Sequence, residues 1–165
     1  MDPKQVDMEG LIDHLIKLLG PRFSKVVSHI YFGDIGVYLP ESFGGSRKTQ
    51  KAVIAIAPSS NRIVEGTQTV QSVYRELLID IMVFVNITPF FEASPEEAYG
   101  ERMLLQIATE IAAFLAQSSN LNLERRVQSS RVGDIDWAWQ AREDQAVRGA
   151  RIEFIARVRQ NLLAE

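Results

Sequence analysis

A chain of 165 residues with 46% apolar and 24% charged side chains has the size and composition of one globular domain, and that mixture argues against extensive disorder. A formal net charge of −3 lacks the basic excess expected of a nucleic-acid-binding domain. With no cysteine, the chain has no disulfide, no thiol nucleophile and no thiolate metal site, and its redox compartment stays open. The start, Met1-Asp2-Pro3-Lys4, carries no apolar run after a basic segment and does not read as a secretory signal. The longest hydrophobic stretch, Leu77–Ile87, contains Asp80 and Asn86 and is too short to span a membrane as a helix.

In chain order, the first predicted element is a helix over Pro3–Leu19. Asp2 is its expected N-cap, Pro3 its first residue, and Gln5 completes a capping box. Met8, Leu11, Ile12, Leu15 and Leu19 form its apolar stripe, and Gly20-Pro21 is the expected stop. Val26–Phe32 reads as a short strand. The stretch 33–50, with Gly33, Gly36, Pro40, Gly44 and Gly45, reads as a flexible loop. Ala52–Ala57 is a short apolar strand ended by Pro58-Ser59-Ser60-Asn61, and Ile63–Val73 is a polar hairpin segment. Leu77–Ile87 is the expected central strand. Its odd positions are all apolar, whereas Glu76, Asp80 and Asn86 interrupt the even ones, so one face is fully buried and the other is apolar only in the middle.

Ser94-Pro95-Glu96-Glu97 opens a second helix with a wide apolar stripe, from Tyr99 and Met103 through Leu115. Leu123–Ser129 is a weak strand candidate, and 129–150 reads as a second flexible loop. The final strand is clear, with Ile152, Phe154, Ala156 and Val158 alternating with charged residues. The expected fold is a single α+β domain. Its four- to five-stranded sheet is mostly antiparallel or mixed, with a long β-hairpin and two helices packed on one face.

No catalytic pattern emerges. His14 and His29 lack the spacing of a metal pair on one helix. Gly44-Gly45-Ser46-Arg47-Lys48-Thr49 precedes a strand and has the wrong glycine spacing for a phosphate loop. Asp134, Asp136, Glu143 and Asp144 read as solvated loop carboxylates, and no cofactor is implied. Arg125, Arg126 and Arg131 read as a solvated or salt-bridging strand surface. Trp137 and Trp139 share one face if their segment is extended. They either close a core beneath a loop or anchor an interface, where tryptophan is enriched.

At Ala52–Ala57 and from Tyr74-Arg75-Glu76-Leu77 through Ile87, the organisation resembles that of bacteriophage tail terminator proteins. The resemblance spans Pro3–Leu19 and Ala52–Arg159 and lies in element order and patterning. It implies a non-enzymatic virion protein of the phage neck, assembled in the host cytoplasm as a ring, typically a hexamer. Such a ring binds the last ring of the tail tube protein, stops polymerisation, and presents a docking surface to a neck connector protein. DNA passes through the lumen without specific binding, and no membrane is involved. The candidate subunit or partner contacts under this reading are Glu65, Thr67, Thr69, Tyr74, Arg75, Trp137 and Trp139. The rival readings are a head–tail connector, stopper or tube subunit and, from another class, a ligand-binding domain or enzyme with a site on the 129–150 loop.

Overall fold

The Asp7 carboxylate accepts a hydrogen bond from the Gly10 N–H at 2.7 Å, and this cap starts the first helix, α1, Met8–Phe23. The computed structural model describes residues 7–34, 51–86, 99–117, 127–141 and 146–162. The expected cap and first residue, Asp2 and Pro3, lie outside that set, and the helix start that the structure shows is a turn further on.

The expected stop fails as well, because α1 runs through Gly20 and Pro21 to Phe23. Pro21 sits in the last turn, so the disruption it causes is confined to one turn. Phe23 is buried, with its ring edge-on to Phe114 at 6.0 Å between centroids. Burying a side chain of this size contributes about 1.5–3 kcal/mol, enough to hold the added turn in place.

Five strands follow: β1 (Val27–Phe32), β2 (Ala52–Ile63), β3 (Ser72–Asn86), β4 (Ser129–Ala141) and β5 (Ala146–Asn161), with α2 (Tyr99–Leu115) between β3 and β4. They form one sheet in the order β1-β2-β3-β5-β4. β1 pairs with β2 in parallel and every other pairing is antiparallel, so the sheet is mixed. Both helices lie on the same face, α1 against β1 and β2, and α2 against β3, β5 and β4. This is the expected α+β arrangement.

β3 is the central strand. On the helix face Leu77, Ile79, Ile81, Val83 and Val85 are buried, and Ile152, Phe154, Ala156 and Val158 of β5 continue the same layer. Leu11, Ile12, Leu15 and Leu19 of α1 and Leu104, Ile107, Ala108, Ile111 and Leu115 of α2 close it from above. Each branched side chain in this layer contributes roughly 1.5–3 kcal/mol before entropy is charged against it. On the opposite face a smaller apolar cluster of Val53, Ala55, Phe84 and Val147 gathers near one end of the sheet, with Tyr31 and Met82 against it.

Two further expectations change. β2 does not end at Ala57. It continues through Pro58 to Ile63, with the register slipping between Pro58 and Ser60 so that the proline is absorbed at an irregularity. The stretch 129–150 is not a loop over most of its length, because Ser129–Ala141 is β4 and β5 begins at Ala146. Its polar sequence belongs to a strand with one described neighbour, β5, and the register shift between Val132 and Ile135 takes up Gly133 and Asp134. Of the first expected loop, 35–50 lies outside the described residues. So do Ile87, the Ser94–Glu97 cap and Leu123–Arg126.

Candidate assembly surfaces

The hairpin joining β2 to β3 is held in shape by hydrogen bonds of its own. Glu65 and Gly66 make its turn, and the glycine φ of 76° is a conformation that other residues rarely adopt. The Thr67 hydroxyl donates to the Val64 carbonyl at 2.7 Å and accepts the Tyr74 N–H at 3.2 Å. Thr69 Oγ1 accepts the backbone N–H groups of Gln71 and Ser72 at 3.2 and 3.0 Å. Arg75 donates from Nε to Gln160 Oε1 and from Nη1 to Asn61 Oδ1, tying β3 to both neighbours.

Of the candidate contacts, Thr67, Thr69 and Arg75 therefore shape the hairpin from within. Tyr74 is half-buried and Glu65 is exposed at the tip. Sequence reasoning overlooked the apolar residues this construction leaves outside. Val70 is 86% exposed in the same loop, Ile63 is 48% exposed, and Leu162, whose N–H reaches the Gln71 carbonyl, is 41% exposed. An isolated valine in a polar stretch gives no signal of this kind. It becomes visible only once Leu162 is known to lie beside it.

Trp137 and Trp139 do lie on an extended segment, in register with Ala150 and Arg148. Alternation puts Trp137, opposite the core residue Ala150, on the helix side of the sheet. Trp137 is 43% exposed, so it does not close a core. The Trp139 side chain lies outside what the structure describes. Close by, Arg148 Nε donates to Glu101 Oε1 at 2.7 Å, fastening β5 to the first turn of α2.

The face away from the helices carries most of the charge. The Glu76 carboxylate is buried between Arg62 of β2 at 3.6 Å and Arg131 of β4 at 3.2 Å, so one group clamps strands from both sides of β3. Further along, Arg151 donates to Asp136 at 2.7 Å and stands 4.0 Å from Asp80. Burial pushes the Asp80 carboxyl above its ordinary pKa. Arg151 opposes that shift, and the nearby Asp34 and Asp136 reinforce it. Arg151 is held more firmly protonated, chiefly by its hydrogen bond to Asp136.

Among the described residues, no group of three or more His, Asp or Glu is arranged to hold a metal ion. His14 is in α1, and the His29 ring packs edge-on against Tyr31 in β1 at 4.2 Å. Asp134 falls in the β4 irregularity, and Asp136 is exposed and ion-paired with Arg151. Arg131 salt-bridges as expected, while Arg125, Arg126, Glu143 and Asp144 lie outside the described residues. No described helix is long and apolar enough to cross a membrane. No protein-family model matches this chain, and no curated protein matches it either.

Proposed function

We propose that this chain is a structural virion protein of a phage neck. It forms a ring, typically a hexamer, that caps the tail tube, stops tail polymerisation and offers the surface on which the head is joined. The observation that carries the reading is the β2–β3 hairpin. It is held in shape by Thr67, Thr69 and Arg75, and it holds Val70 and Ile63 outward. Exposed apolar groups on a rigid projection lose little conformational entropy on docking, and this favours contact with another subunit. Glu65 and Tyr74 at the hairpin, and Trp137 on the last hairpin, are the further contact candidates.

Head-to-tail contacts between subunits close into a ring when the rotation between neighbours divides a full turn evenly. A mildly acidic subunit suits a lumen through which DNA slides, because a basic lining retains phosphates through counterion release. The element order, helix, strands with a long hairpin, helix, closing strands, also agrees with the resemblance. The tail tube protein and a neck connector are the partners this reading assigns. Cryo-microscopy of assembled particles tests it. A ring of copies at the end of the tail tube is expected, and absence from the neck, or a single copy there, overturns the reading.

A further inference from the structure

The face away from the helices is divided along the strand direction. Toward the β2–β3 turn, Arg62, Arg131, Arg157 and Arg159 share the neighbourhood of one buried carboxylate, Glu76. Toward the other end of β3, Asp80, Asp136 and Glu153 lie around one guanidinium, Arg151, and Asp34 lies near Asp80. Asp80 and Glu153 stand directly opposite each other in the β3–β5 ladder, a like-charge pair that a single chain retains at a cost. Leu78 and Ile155, also directly opposite, separate the two halves. Glu76 and Asp80 are two side-chain repeats apart on one strand, about 13 Å.

A face with one sign at each end is complementary to a copy of itself turned by a half-rotation about an axis in the face and across the strands. We propose that a second copy of this chain docks on this face through a reciprocal two-fold contact. The arginine half of each copy meets the carboxylate half of the other, with Leu78 and Ile155 near the axis. One such contact satisfies both halves. A polyanion or a basic peptide matches one half and is repelled by the other. Four strands about 4.8 Å apart and nine residues at about 3.3 Å give a face of roughly 500 Å² per copy, close to the lower limit for a specific interface. The Arg62, Arg131, Arg151 and Asp136 side chains are all more than a third exposed, so the pair is weak and sensitive to salt. The contact rests on this face alone and does not depend on the ring.

Sedimentation equilibrium of the full chain tests it. A dimer is expected at low salt, with dissociation rising about tenfold or more between 50 and 500 mM salt. Arg157→Glu with Arg159→Glu, and separately Asp136→Lys with Glu153→Lys, are each expected to give folded monomers. Mixing the two in equal amounts is expected to restore a dimer, because each reversed half then faces its complement. Should a reversal variant fail to fold by circular dichroism, the neutral pair Arg157→Gln and Arg159→Gln is expected to weaken the wild-type dimer. A mixture that stays monomeric, an unchanged dimer in the neutral variant, or association indifferent to salt overturns the proposal. Rings in particles together with a free protein that is monomeric at 50 mM salt also overturn this contact and leave the ring reading intact. A salt-sensitive dimer of a chain absent from the neck does the reverse.

Discussion

The two faces of the sheet are made by alternate residues of the same strands, yet they solve different problems. On the helix side, Ile79, Ile81 and Val83 are fully covered and belong to the apolar core. On the other side, Glu76, Leu78, Asp80, Met82 and Phe84 alternate between charge and hydrocarbon, going from one charge through Leu78 to the next over about 13 Å. The first face stabilises the domain through burial. The second is a patchwork whose charges are either clamped, as at Glu76, or crowded, as at Asp80. Apolar burial and charge pairing thus fall on opposite sides of one strand, and a single-residue step along β3 moves from one to the other.

The sharpest way to break that comparison is to put the same charge on each side of it. Ile81→Asp places an unpaired carboxylate in the fully covered layer, where the cost is about 3–5 kcal/mol, a large share of the stability of a typical domain. No cooperative thermal melt is expected from this variant. Met82→Asp, one residue on, lands opposite Arg151 on the other face and is expected to cost only about 1–2 kcal/mol, with a cooperative melt retained. If the two variants melt alike, the assignment of faces is wrong by one residue.

A smaller loss is expected from Glu76→Gln. It removes the charge shared by Arg62 and Arg131 while keeping the shape, and hydrogen bonds to a charged group are worth about 1.5–3 kcal/mol. Urea unfolding should show a lower midpoint with an unchanged slope, and an unmoved midpoint means the clamp contributes nothing.

The smallest effect has the opposite sign. A carboxyl whose pKa is raised on folding is held less favourably as an anion than in the unfolded chain. Ionised Asp80 therefore lowers stability above its folded-state pKa, and that penalty fades as pH falls toward the ordinary carboxylate value of 3.8. Asp80→Asn should raise stability by about 0.2–1 kcal/mol at pH 7, the range of a cross-strand like-charge contact. The gain should shrink on acidification. A loss of stability at pH 7 means that the attraction to Arg151 outweighs burial.

Much of the helix-covered face was legible in the sequence because burial there is complete and the alternation is unbroken, as in β3 and β5. The end of α1 was not. Gly20-Pro21 is a local stop signal, and it lost to the contact of Phe23 with Phe114, which comes from distant sequence. β4 was read as loop because its charges and Gly133 carry no apolar alternation, and only pairing with β5 explains it. The polar hairpin itself was legible between its flanking strands, but its exposed apolar residues were not. The division of charge on the second face is also invisible in one dimension. Arg62, Glu76, Arg131 and Arg157 are scattered over four strands, and nothing local marks them as neighbours.

The β3–β5 ladder also sets a clock. Its register joins Asn86 to Val147 and Ser72 to Asn161, partners about 60 to 90 residues apart, so the longest run of strand pairing closes a long loop and forms late. During synthesis at about 5–20 residues per second, β3 is made several seconds before the strand that completes it. Through that interval its companion is β2, paired across the pre-shaped hairpin, and the hydrocarbon face of the two strands waits for α2 and β5. Refolding in milliseconds or longer is the corresponding expectation in vitro, and a microsecond folding phase would contradict it.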